Sequence, residues 1–131
     1  MKTALVLGGG GFIGGHLARR LMLEGLFVRV VDIKKSHDFW SKDQICNDYK
    51  SGDLRDPLFV ESAFSPPKNS TSFDEVYQLA ADMGGADYIF TGDNDLDIMT
   101  RSVQINLNVI DAIRAYNVPK VFYSSSACVY S

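Results

Sequence analysis

Glycines at 8, 11 and 14, aspartates at 32 and 53, and a Ser126–Cys128 pair are the residues whose types and spacing can do chemistry in this chain. Gly8, Gly11 and Gly14 form GxxGxxG directly after the apolar run Ala4–Leu7 and directly before a helical pattern. A strand, a glycine turn and a helix in that order bring backbone N–H groups and the positive helix end up to a diphosphate. Four consecutive glycines also read as GxG, so the register stays open on spacing alone, and the plainer alternative is a turn between any strand and helix. Asp32 stands eighteen residues beyond Gly14, at the end of a second apolar run. A carboxylate there can accept from both ribose hydroxyls of an adenosine and repels a 2′-phosphate, which favours NAD over NADP. Lys34 and Lys35 follow at once and offer a phosphate a basic pair. Asp53, after a third weak strand, is placed to accept from an adenine amine, or is simply a turn residue. Ser124–Ser126 end a last strand, where hydroxyls can hold a substrate hydroxyl. Cys128 is an acid or base if its thiol is tuned, and inert packing otherwise.

These residues need a frame that gathers them. The pattern predicts strands at Leu5–Leu7, Phe27–Asp32, Ile45–Lys50, Phe73–Ala80 and Val121–Ser124. Helices are predicted over 12–24, over Leu58–Phe64 with Asp56 as N-cap and Pro57 at the first position, and over Asp95–Tyr116. The first helix reads as apolar at Phe12, Ile13, Leu17, Leu21 and Met22, and Gly25 stops it. Lys34–Lys42, Ser65–Ser72 and Asp82–Asp93 read as irregular. Short apolar strands alternating with helices call for an α/β fold, a doubly wound parallel sheet in the order 3-2-1-4-5. Every notable segment then falls at the carboxyl ends of the strands, where such sheets bind ligands.

The bulk numbers agree with one soluble domain: 131 residues, 46% hydrophobic, 22% charged. A net charge of −3 gives no electrostatic case for nucleic acid or an anionic membrane. No segment approaches the roughly 20 apolar residues that span a bilayer. Cys46 and Cys128 are too few for a disulfide framework, lack metal-ligand spacing and suit a reducing, cytoplasmic setting.

The phrases Gly8-Gly-Gly-Gly-Phe-Ile-Gly14-Gly-His16-Leu, Gly52-Asp-Leu-Arg-Asp56, Leu79-Ala-Ala81 and Ser125-Ser-Ala-Cys-Val-Tyr130 resemble the extended short-chain dehydrogenase/reductases, the NAD-dependent epimerase/dehydratase family. Within it, Asp32-Ile-Lys-Lys35, Leu79-Ala-Ala-Asp-Met-Gly-Gly85 and Ser-Ala-Cys are similar to the GDP-mannose 3,5-epimerase group. The resemblance implies that Gly8, Gly11, Phe12, Ile13 and Gly14 hold the NAD pyrophosphate. It puts Asp32 at the ribose, Asp53 at the adenine edge and Ala80 and Ala81 along the cofactor channel, with Lys34, Leu54 and Leu79 also among the cofactor-binding residues. Gly84 and Gly85 would touch a nucleotide sugar, Ser126 would hold the hydroxyl being oxidised, and Cys128 would be one of two acid/base groups. The implied reaction oxidises C4 transiently, exchanges protons at C3 and C5, and reduces C4 again.

The departures set further expectations. Arg101-Ser102 stands where the family's long helix carries an Asn, and Asn106 lies one turn on. The stretch after Gly85 is longer, with Asp93, Asp95 and Asp97. The family's Tyr-x-x-x-Lys pair, due beyond the last strand, is missing: neither Tyr123 nor Tyr130 has a Lys four residues on. The expectation is a Rossmann domain over 1–131 that is incomplete at its C-terminus, without a substrate lobe, and prone to self-association as a homo-oligomer. Two other functions stay open: a UDP-sugar 4-epimerase or 4,6-dehydratase, and a non-catalytic dinucleotide-binding module.

Overall fold

The computed structural model describes residues 1–80 and 92–124. In chain order the elements are β1 (Thr3–Leu7), α1 (Phe12–Leu23), β2 (Phe27–Asp32), α2 (Lys42–Ile45), β3 (Asp48–Ser51), α3 (Pro57–Phe64), β4 (Glu75–Gln78), α4 (Gly92–Tyr116) and β5 (Lys120–Tyr123). The five strands form one parallel sheet in the order β3-β2-β1-β4-β5, as the alternating pattern predicts.

Strand β1 is the axis of this sheet. All five of its residues are buried, and its side chains alternate between two cores. Leu5 and Leu7 join Val31, Val76, Phe64, Ile105 and Val109 under α3 and α4, while Ala4 and Val6 join Val28, Val30, Ala18 and Leu21 under α1 and α2. Both faces are therefore covered, as a parallel sheet requires. Arg29, in the middle of β2, is buried on the first face. Its guanidinium donates to Asp48 Oδ2 at 2.6 Å and to the carbonyls of Ala63 and Ser65 at 2.9 and 2.5 Å, which ties the edge strand β3 to the end of α3.

The helix ends follow their caps. Gly25, at φ +96°, follows α1: its N–H reaches Met22 O and that of Leu26 reaches Leu21 O, a Schellman closure that returns the chain into β2. Asp56 Oδ1 accepts from Leu58 N–H at 3.0 Å ahead of Pro57 and starts α3.

Several boundaries differ from the expected ones. Ile45 is not the start of a third strand. It ends the four-residue helix α2, whose N-cap Ser41 and Gln44 form a capping box, and the strand begins at Asp48. Ile45 is an anchor of the α1-side core, so its apolar character reports burial under a helix rather than a strand. Strand β4 is shorter than Phe73–Ala80, and α4 starts at Gly92, so the irregular stretch does not extend to Asp93. In α1, Phe12 and Ile13 are 68% and 73% exposed; its buried face is Gly14, Gly15, Ala18 and Leu21. The helix packs through its small residues because the sheet lies close beneath it.

Candidate functional site

A turn at the carboxyl end of β1 organises the site. Gly8 has φ +88°, where an L side chain is strained, and its N–H donates to Val31 O at 2.7 Å, extending the β1–β2 pairing by one residue. A Cβ there would lie 2.8 Å from Ala80 N, so the chain after β4 closes on the turn. Gly11 N–H returns to Gly8 O, and Gly11 is the N-cap of α1. Among the described residues no side chain caps this helix, and its first intrahelical bond runs from Gly15 N–H to Gly11 O. The N–H groups of Phe12 and Ile13 precede that bond, at the positive end of the helix. Gly14 lies underneath: a Cβ would strike the carbonyl of Gly8 and come within 2.8 Å of Gly9 Cα.

The Asp32 carboxylate reaches back to this turn. Its Oδ2 accepts from Gly10 N–H and its Oδ1 from Lys34 N–H, both at 2.9 Å. Two backbone donors on different oxygens fix the plane of the carboxylate and leave each oxygen a further lone pair for a hydroxyl. Gly10 makes this possible, since a Cβ there would sit 2.8 Å from the carboxylate. Lys34 does not aim its ammonium at Asp32; Nζ pairs with Asp38 at 3.2 Å. Its carbonyl accepts from Tyr49 OH at 2.8 Å, and burial, with the nearby charge of Asp32, pushes that phenol up to about 12.

Asp53 follows β3 on a different footing. It is held by Arg55 through the guanidinium, at 2.5 Å from Nη2, and by the Arg55 N–H at 2.9 Å. Beside it Leu54 is buried, and its carbonyl accepts from Asn108 of α4 at 2.9 Å.

Gly8, Gly11, Asp32, Lys34, Asp53, Leu54, Leu79 and Ala80 line one cleft of about 340 Å³, joined by Ile33, Gly52, Arg55 and Ile105. Phe12 and Ile13 stand exposed beside it, and Gly14 supports it from below. Ala81, Gly84, Gly85, Ser126 and Cys128 lie outside the described residues. Spacing does not single out Gly10, Asp38, Tyr49 or Gln78. Only the second register of the glycine run hints at Gly10. The same holds for His37, which is buried: Nδ1 accepts from the Phe39 and Trp40 N–H groups, and the ring packs against Gly15.

A glycine turn at an uncapped helix start, with a carboxylate on the next strand facing it across a cleft, defines a dinucleotide-binding α/β fold. Residues 4–131 match the NAD dependent epimerase/dehydratase family, and the chain belongs to it. Among curated relatives it is 38% identical to GDP-mannose 3,5-epimerase 1 of Oryza sativa subsp. indica and to GDP-mannose 3,5-epimerase of Arabidopsis thaliana. Each alignment spans 125 residues, 95% of this chain and 31% of the relative. Among solved structures, UDP-glucose 4-epimerase from Bifidobacterium longum in complex with NAD+ and UDP superposes with TM-score 0.79 at 26% identity. That match covers 99% of this chain and 38% of the other. The chain thus spans about a third of the length of the relatives it matches. Among the described residues, no helix is long and apolar enough to cross a membrane.

Proposed function

We propose that this chain is the NAD-binding N-terminal part of a cytoplasmic nucleotide-sugar epimerase of the GDP-mannose 3,5-epimerase type. The observation that carries the reading is the Asp32 carboxylate, fixed by the Gly10 and Lys34 N–H groups at the rim of the cleft. The fit of a dinucleotide is supported by the cradle itself: Gly8, Gly10 and Gly14 each stand where a Cβ would fill needed space. In this reading the Phe12 and Ile13 N–H groups bind the diphosphate, with Gly11 leaving room for it. Asp32 accepts from the adenosine ribose hydroxyls, and its charge disfavours a 2′-phosphate, hence NAD over NADP. Asp53 and Leu54 border the adenine; Leu79, Ala80 and Ala81 line the path of the rest. When bound, the nicotinamide supplies a hydride acceptor and donor.

The remaining roles rest on likeness to the GDP-mannose 3,5-epimerases. Gly84 and Gly85 contact a GDP-mannose-type sugar nucleotide, Ser126 holds the hydroxyl at C4, and Cys128 moves a proton at the neighbouring ring carbon. The likeness to UDP-glucose 4-epimerases supports a second reading, a UDP-sugar 4-epimerase. A non-catalytic dinucleotide module is a third. As a homo-oligomer the chain would cover Phe122 and Tyr123, which are 53% and 44% exposed on the edge strand β5; light scattering measures this.

Fluorescence titration of the chain with NADH and NADPH tests the cofactor. The expected result is saturable binding of NADH, weaker binding of NADPH, and in Asp32→Ala a larger loss of affinity for NADH than for NADPH. Absence of binding overturns the reading. Product analysis after supplying GDP-mannose or UDP-glucose to the protein encoded by the whole gene separates the two epimerase readings.

A further inference from the structure

Gln78, the last residue of β4, carries a side chain that is almost sealed from solvent, with the residue 3% exposed. A buried primary amide has to place an acceptor oxygen and two N–H donors. Here Oε1 accepts from Ala80 N–H at 3.1 Å, while Nε2 donates to Ala80 O at 3.0 Å and to Asn106 Oδ1 of α4 at 3.1 Å. The backbone dictates this orientation. The Ala80 N–H needs an acceptor and its carbonyl a donor, so the amide cannot be turned over, and Asn106 must present oxygen rather than nitrogen. The Gln78 side chain thus does for Ala80 what a neighbouring strand would do, pairing its N–H and C=O together just past the end of β4.

The residue held in this way is the one on which the glycine turn closes. The space where Gly8 lacks a Cβ is filled by Ala80 N and Leu79 C, at 2.8 and 2.9 Å. Gly8 and Ala80 face the same cleft. A shift of Ala80 toward Gly8 would push the turn, and a shift away would leave it unsupported.

We propose that Gln78 is a positioning residue for the dinucleotide: its amide, indexed by Asn106, seats Ala80 against Gly8 and so sets the shape of the turn that receives the diphosphate. This rests on the reading that the cleft binds a nicotinamide dinucleotide. Gln78 touches no reacting atom; it acts through the main chain of Ala80.

The test is a set of NADH titrations on the chain and its variants, paired with thermal unfolding of the ligand-free proteins. Gln78→Met keeps the volume and removes all three hydrogen bonds; about tenfold weaker NADH binding is expected. Asn106 is exposed, so its variants keep the fold. Asn106→Leu weakens binding about threefold, and the double variant with Gln78→Met is no weaker than Gln78→Met alone, because the two act as one unit. Asn106→Asp retains the acceptor oxygen and binds as the parent does at high ionic strength, where its added charge is screened. Lowered melting temperatures with unchanged NADH affinity in Gln78→Met and Asn106→Leu would overturn the proposal, as would Asn106→Asp binding as weakly as Asn106→Leu. If Gln78→Met does not fold, the two Asn106 variants decide. A parent chain that binds neither NADH nor NADPH sinks the dinucleotide reading itself, an outcome distinct from a parent that binds and variants that bind equally well.

Discussion

Asp32 ends β2 and Asp53 follows β3; both face the same cleft and accept from the main-chain N–H two residues on, but their remaining anchors differ. Asp32 is fixed by main-chain N–H groups from two segments, one of them twenty-two residues away. Asp53 is fixed by Arg55, two residues along its own turn. The first arrangement makes the carboxylate part of the fold: it cannot move unless the glycine turn or the chain after β2 moves. The second makes the carboxylate part of a local ion pair whose side chains are 35% and 40% exposed, a setting in which such pairs contribute little. A carboxylate preset by backbone donors is suited to discriminate between ligands, whereas one held by a neighbouring side chain is suited to adjust to them.

Substitutions at the two positions should therefore differ. Asp32→Ala is expected to weaken NADH binding about 10- to 100-fold, from the ~1.5–3 kcal/mol of a hydrogen bond to a charged group. The NADPH affinity should fall less, and equal losses for the two cofactors would break the comparison. Gly10→Ala should come next. Its Cβ displaces the carboxylate without removing it, so NADH affinity drops about tenfold while the charge at 32 is unchanged, if one such hydrogen bond is lost. Asp53→Asn should cost about threefold or less, in line with ~0.5–1 kcal/mol for an adjustable contact; calorimetry giving a loss as large as that of Asp32→Ala would erase the distinction. The smallest effect belongs to Tyr49, whose hydroxyl steadies the Lys34 carbonyl behind Asp32. Burial raises its pKa from 10.0 to about 12, so folding favours the neutral phenol. That share of stability is complete below pH 10 and is lost as the pH climbs toward 12. Urea midpoints measured from pH 8 upward should fall less steeply in Tyr49→Phe than in the parent.

The same contrast explains what could be read from the chain before its structure. The order of strands follows from alternation of short apolar runs with helical ones, and Asp32 follows from its distance to the glycines, because both are consequences of one repeating unit. The partner of Asp32 was not legible. Which of four consecutive glycines meets the carboxylate depends on how the turn curls, and spacing treats Gly8, Gly9, Gly10 and Gly11 alike. Ile45 misled for a related reason: a single buried isoleucine is compatible with strand or helix, and the capping box at Ser41 and Gln44 outweighed its β-branching. The apolarity of Phe12 and Ile13 marks the helix but not its buried face, which small residues at 14, 15 and 18 form with Leu21. Gln78 carries no signal at all in isolation; its importance arises from a main-chain gap after β4 that only the three-dimensional arrangement reveals.

Strand β1 is sealed at every residue and bonded on both sides, and Gly8 continues its ladder by one step. The amide protons of Leu7 and Gly8 should then exchange with solvent only through opening of the whole domain, among the slowest in the protein. A ligand arriving at the turn meets a platform already frozen, with little chain entropy left to surrender on association.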